Sequence, residues 1–239
     1  MRPFVYVHGL PGSAAELDLG WPAGRTPPIV IAPSDVNAFA SRAPSGPVRL
    51  IGFSLGAPAA LRIAARWPER IARLILVSPA APPAPGELRR MAGAPVFLAA
   101  RRGPRTLAAV LGSQAVLARA APSALLRLMF TGQAPAERRL LREEPVRAAL
   151  VSGLRETLGP GRAGHAAALS AYAASSADDP VSIQAPVEIV HGAEDGWVPL
   201  RMAERLAAAL GPGCTLTVLP GLGHYGALRA ALAREAATD

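Results

Sequence analysis

An α/β fold, with a mostly parallel sheet of about six strands flanked by helices and interrupted by an all-helical insert, is what this sequence predicts. Two observations carry the prediction. The first third and the last quarter of the chain alternate short β-branched runs with helix-like patterns, as parallel strands joined by crossover helices do. Residues 80–179 hold no convincing strand and are punctuated by proline and glycine at helix-like intervals. Residues 1–79 and 180–239 are therefore expected to form one discontinuous core, with 80–179 as the insert. The 239 residues are enough for a single well-buried core of this kind.

The first four strands are expected at Pro3 to Val7, Pro28 to Ala32, Val48 to Phe53 and Ile71 to Ser78. Each is short, apolar and bounded by Gly, Pro or Ser, which suits strands covered on both faces. Val187 to His191 and Thr215 to Leu219 resume the pattern. Between the third and fourth strands, Ala57 to Trp67 reads as a helix, with Ala60, Leu61, Ala64 and Trp67 at helical spacing. In the insert, Pro104, Pro122, Pro135 and Pro145 suit first-turn positions, where the N–H that proline lacks is unpaired anyway. Gly112, Gly132 and Gly159 suit helix stops. Leucines such as Leu125, Leu126, Leu128, Leu140 and Leu141 face either the core or a substrate, with core packing as the default.

Composition narrows the function classes. Apolar residues make up 51% of the chain, yet no run approaches the roughly 20 residues that a membrane-spanning helix needs. The apolar run between Pro3 and His8 is too short for the h-region of a signal peptide, so a cytoplasmic location is expected. The single cysteine, Cys214, leaves no internal disulfide framework or multi-cysteine metal site and reads as a small apolar residue. The formal charge of +8 comes from arginine alone, since the chain has no lysine. Residues 80–179 carry 13 arginines against 7 acidic residues. Such an excess attracts anions, for example a phosphate-bearing carrier, nucleic acid or an acidic membrane surface, or else it solvates helix faces. The arginines follow amphipathic patterns and no nucleic-acid motif accompanies them, which favours solvation and no nucleic-acid partner.

Gly52-Phe53-Ser54-Leu55-Gly56 carries the chemistry. A G-x-S-x-G run is common by chance, but here it falls between a strand and a helix, where the serine Oγ is presented on a tight turn. The unpaired N–H groups of the following helix favour negative charge, and the Leu55 N–H is placed to bind a developing oxyanion. A second donor is expected from His8-Gly9-Leu10-Pro11-Gly12-Ser13, directly after the first strand, with the Leu10 N–H as the candidate. Serine also needs a general base, and the base an orienting carboxylate. Of the four histidines, His224 follows the last strand on the glycine-loosened turn Gly221-Leu222-Gly223-His224-Tyr225, at the sheet edge where parallel sheets place their sites. His191 ends a strand, His165 lies in the insert, and His8 belongs to the oxyanion loop, where it is expected to bond the backbone. Glu194 and Asp195 both follow the fifth strand; Asp195 precedes the turn Gly196-Trp197-Val198-Pro199 and is preferred.

With HGLPGS, GFSLG, HGAEDGWVP after Ala185-Pro186-Val187, and LPGLGHY in this order, the chain resembles the α/β-hydrolases over residues 3–78 and 180–239. The resemblance implies a Ser54-Asp195-His224 triad, an oxyanion hole from Leu10 and Leu55, and hydrolysis of an ester, thioester or related acyl bond of a small molecule without a cofactor or metal. The insert takes the place of that family's variable helical cap. Three departures stand out. The usual opening hairpin is absent. The spans from Ser13 to Pro33 and from Ser34 to Gly52 are short, so a crossover helix there is expected to be trimmed or missing. Ala32-Pro33-Ser34-Asp35 also lacks the usual glycine-rich continuation. Related dehalogenases and epoxide hydrolases carry aspartate at the nucleophile position, so Ser54 argues against both activities. Rival readings are a thioesterase or acyltransferase on acyl-carrier substrates, suggested by the basic insert, and a non-catalytic binding protein on the same fold.

Overall fold

The structure, a computed structural model, describes residues 2–177 and 182–238. Among these residues six strands form one sheet in the order β2-β1-β3-β4-β5-β6, and every neighbouring pair is parallel. They are β1 (Phe4–Val7), β2 (Ile29–Ile31), β3 (Val48–Phe53), β4 (Ile71–Val77), β5 (Val187–Gly192) and β6 (Cys214–Leu219). Each strand lies within a residue of its predicted place.

Burial explains the strand sequences. β1, β4 and β5 are covered on both faces, and their apolar runs are correspondingly continuous; Val5, Tyr6 and Val7 have no exposed surface, nor do Leu74 to Val77. β6 is an edge strand, and there exposed Thr215 and Thr217 alternate with half-buried Cys214 and Leu216. The chain runs from β1 outward to β2, then returns across β1 to lay β3 on its other side. That reversal opens a crevice beyond the ends of β1 and β3, where open parallel sheets bind ligands. Registers Val7↔Gly52 and Phe53↔Val77 bring the strand ends onto one edge.

The crossovers beside this crevice are short, as expected. A single 3-10 turn (Ala14–Leu19) joins β1 to β2, and α1 (Ala38–Arg42) joins β2 to β3. α2 (Ala57–Arg66) follows β3. Between β4 and β5 the described residues form helices only: a 3-10 turn (Glu87–Arg90), α3 (Ala94–Arg102), α4 (Pro104–Ala120), α5 (Pro122–Met129), α6 (Pro135–Leu140), α7 (Glu144–Leu158) and α8 (Arg162–Ala174). The expected boundary at 179/180 lies outside the described residues. α9 (Leu200–Leu210) and α10 (His224–Ala237) complete the chain.

All four prolines named above sit in first turns, of α4, α5, α6 and α7. Gly132 and Gly159 follow helix ends, but Gly112 does not stop its helix: α4 continues through it. Glycine costs about 1 kcal/mol against alanine in a helix interior, and here Leu107, Leu111, Ala115 and Ala118 form a buried stripe that holds the helix across it. No helix among the described residues is long and apolar enough to cross a membrane.

Candidate active site

β3 delivers Phe53 in extended conformation, and the next residue, Ser54, turns to φ +51°. A non-glycine residue in the left-handed region costs on the order of 1–3 kcal/mol and persists only where its surroundings impose it. Here the surroundings are close. A Cβ on Gly52 would fall 2.6 Å from the Ala60 Cβ, and one on Gly56 would collide with the carbonyl oxygens of Val7 and His8. Both glycines therefore let α2 pack tightly on β1 and β3. The Ser54 carbonyl is held by the Ala80 N–H at 3.1 Å.

The loop after β1 lies alongside. His8 Nδ1 donates to the Gly9 carbonyl at 2.7 Å, as its place in the loop predicts. Gly9 N–H donates to Glu16 Oε2 at 2.9 Å. Gly12 is clamped from both sides by Thr157 of α7, whose hydroxyl accepts from Gly12 N–H at 3.0 Å and donates to Gly12 C=O at 2.7 Å. Among the described residues the N–H groups of Leu10 and Leu55 have no hydrogen-bond partner, and both residues line one cavity with Ser54.

His224 is the first residue of α10, and its Nδ1 donates to Asp195 Oδ2 at 2.7 Å. The other carboxylate oxygen, Oδ1, accepts from the N–H groups of Trp197 at 2.8 Å and Val198 at 2.9 Å, so the turn that follows Asp195 fixes it. Burial pushes this carboxyl up, but the neighbouring His224 and these hydrogen bonds outweigh it and hold Asp195 below the usual range. Glu194 is exposed. His191 is fully buried behind the acid, with Nε2 3.1 Å from the Val198 carbonyl and 3.5 Å from Asp195 Oδ2, and burial lowers its pKa. The His224 ring packs 4.7 Å from the ring of Phe53, the residue before Ser54. Among the described residues no hydrogen bond joins Ser54 to the ring; such contacts commonly tighten only once substrate is bound.

The sequence matches the family described as serine aminopeptidase, S33, over residues 32–226. The chain belongs to that α/β-hydrolase family. Solved structures similar to this hydrolase include a bromoperoxidase from Bacillus anthracis, at TM-score 0.64 and 19% identity, covering 99% of this chain and 90% of that one. A serine hydrolase from the polyaromatic-hydrocarbon-degrading bacterium Cycloclasticus zankles matches at TM-score 0.60 and 18% identity, over 100% and 88%. A thermophilic esterase from Thermogutta terrifontis matches at 0.55 and 18%, over 100% and 88%. At these identities the likeness is one of fold. Comparison with curated proteins gives no match.

In this hydrolase the cavity beside Ser54 has a volume of about 460 Å³ and is walled mainly by aliphatic and aromatic side chains, including Leu125 and Leu128. Leu126 packs elsewhere in the core, and half-buried Leu140 and Leu141 pack against it. Among the described residues no charged side chain lines the cavity. The arginines of 80–179 are exposed except Arg147, which is half-buried. Among the described residues no group of three or more His, Cys, Asp or Glu is arranged to hold a metal ion.

Two buried carboxylates beside the site carry no sequence motif. Glu16 accepts from Tyr6 Oη at 2.5 Å as well as from Gly9, and burial pushes it up to about 7 against those bonds and the pull of His224. Glu137 of α6 accepts from the N–H groups of Tyr225 at 2.5 Å and Gly226 at 3.4 Å, capping the first turn of α10 directly after His224. Burial raises its pKa too. An acidic residue on a helix gives no sequence signal that it will cap another helix 88 residues away.

Proposed function

We propose that this serine hydrolase cleaves a carboxylic ester or a related acyl bond, with Ser54 as nucleophile, His224 as base, Asp195 orienting the base, and the N–H groups of Leu10 and Leu55 as the oxyanion hole. The observation that carries the reading is the left-handed Ser54 elbow with the hydrogen-bonded Asp195–His224 pair packed against its preceding residue. In this reading His224 Nε2 takes the Ser54 proton as Oγ attacks the acyl carbon. The carbonyl electron pair moves onto the oxygen, where the two unpaired N–H groups receive it. Collapse expels the alcohol, which takes the proton back from Nε2, and water repeats the cycle on the acyl-enzyme to release the acid. Asp195 keeps the Nδ1 proton in place throughout. Residues 80–179 act as a cap that walls the acyl pocket.

The uncharged cavity favours a neutral hydrophobic substrate over a peptide with a free amino terminus, which calls for a carboxylate partner. It favours such a substrate over an acyl-carrier thioester too, because the arginines of 80–179 lie outside the cavity. A salt series comparing acyl-CoA with neutral esters separates the last two, since attraction to phosphate weakens with ionic strength. The central test is a fluorophosphonate probe and an ester panel of graded acyl length. Ser54→Ala is expected to lose labelling and turnover by a factor on the order of 10⁶. Full esterase activity in that variant overturns the assignment; an inert wild-type protein supports a non-catalytic role.

A further inference from the structure

His165, on α8, is the one histidine that lines the cavity, and it is 5% exposed. The wall around it is apolar: Leu154, Leu158 and Leu169 line the same space. The imidazole makes no hydrogen bond to any described residue, and Nδ1 is closed off from solvent without a partner. His8, in the loop after β1, is the titratable group that bears on it. Burial first, and His8 second, bring its pKa down to about 4, so the ring is neutral at ordinary pH.

A neutral imidazole carries one N–H and one lone pair, and their placement follows from the cost of each. A buried donor without a partner is rarer and costlier than a buried acceptor without one. With Nδ1 closed off, the proton belongs on Nε2. A leucine or phenylalanine at this position would fill the wall without leaving any polar atom unpaired, so packing alone does not account for the imidazole. It does, however, place an uncharged donor in an otherwise apolar stretch of the wall, among Leu154, Leu158 and Leu169. Of the other polar groups there besides Ser54, Gln114 and Thr131 are half-buried and exposed, and so belong to the mouth, while the Trp197 indole N–H is closed off from solvent and does not open into the cavity.

Building on Ser54 as the nucleophile, we propose that His165 Nε2–H donates a hydrogen bond to an uncharged oxygen within the acyl group, so that the preferred substrates are oxo- or amido-substituted acyl esters rather than plain hydrocarbon ones. A carboxylate on the acyl chain fits less well, because a neutral ring offers it no counter-charge in a desolvated wall.

The test compares p-nitrophenyl octanoate with its 3-oxo, 4-oxo, 5-oxo and 6-oxo derivatives on the purified full chain, reading the ratio of kcat/KM for each oxo ester to that for octanoate. At one position the wild-type ratio is expected to reach about tenfold, roughly what one buried hydrogen bond confers. In His165→Phe that ratio should fall to about one, and in His165→Asn, which keeps a donor, it should be partly restored. A wild-type ratio near one at every position, or a preference that survives His165→Phe, overturns the proposal. Should His165→Phe not fold, His165→Leu serves in its place, and the wild-type ratio decides independently of either. Binding of the intact esters to Ser54→Ala, measured calorimetrically, gives the same ratio without turnover. If wild type hydrolyses no ester, the nucleophile assignment fails, while the binding ratio still decides the role of His165.

Discussion

The loops at the sheet edge and the helices between β4 and β5 meet at the same site but reach it differently. At the edge, each candidate group lies in the loop or turn that leaves a strand: Leu10 after β1, Ser54 after β3, Asp195 after β5 and His224 after β6. In the helices, the groups that touch the site are single buried polar residues: Glu137 on the first turn of α10, Thr157 on Gly12, and His165 in the cavity wall. In the proposed mechanism the edge supplies the reacting groups. The helices hold the loop after β1 and the first turn of α10, so they do more than roof the pocket. Whether that division is real is open to measurement.

The largest expected effect belongs to the edge. Asp195→Asn keeps the acceptor for Trp197 and Val198 but no longer fixes the tautomer of His224, and kcat for an ester is expected to fall by about 10⁴ with the melting temperature little changed. A loss of tenfold or less would make Asp195 a structural cap rather than the orienting acid. Second in size is a pH effect at Glu16. Its carboxyl is raised from 4.5 to about 7, so the folded chain binds a proton there that the unfolded chain has already lost. Stability from this group is complete below the unfolded value, declines as pH rises, and is gone above about 7, a span worth on the order of 3 kcal/mol. Glu16→Gln keeps acceptors for Tyr6 and Gly9 and should flatten that decline in denaturant unfolding followed from about pH 4 to about pH 8. An unchanged slope would show that Glu16 ionises freely.

What the sequence made legible follows the same line. Strands buried on both faces are continuous apolar runs, so β1, β3, β4 and β5 could be placed from short apolar runs with Gly, Pro or Ser at their ends. The elbow was legible because a left-handed serine with helix and strand packed on either side demands Gly52 and Gly56 as neighbours. That Asp195 caps the turn after it while Glu194 faces solvent was legible because a carboxylate one residue before a Gly-Trp-Val turn can accept its backbone N–H groups. Gly112 misled, since a glycine within a long apolar stripe carries no information about where the helix ends. Glu16, Glu137 and Thr157 were silent. Their partners lie 7 to 145 residues away, and no local spacing encodes a contact that forms only when two elements pack.

Smaller effects sharpen the comparison from the helical side. Glu137→Ala leaves the N–H groups of Tyr225 and Gly226 without their acceptor and should cost about 1–3 kcal/mol, with kcat falling and KM nearly constant because the base helix loosens while the cavity keeps its wall. Glu137→Gln, which can still accept, should recover most of kcat. A change confined to KM would instead assign Glu137 to the pocket. Thr157→Val removes one hydroxyl that serves both backbone groups of Gly12, and about 1–2 kcal/mol of stability with a severalfold lower kcat/KM is expected.

The smallest effect tests the other half of the helical segment. Arg127 and Arg138 are exposed and neither lines the cavity. If the helices act on the site through their buried polar residues, replacing both arginines by glutamine should shift stability by no more than about 0.5 kcal/mol and leave ester kinetics unchanged at low and high salt alike. Substrate attraction by the basic surface would show itself differently, as a kcat/KM for an anionic acyl donor that drops on substitution and falls with ionic strength in the parent. A neutral ester that responded to the double substitution would contradict both accounts. It would mean that charge on these faces reaches Ser54 through the packing of the helices themselves.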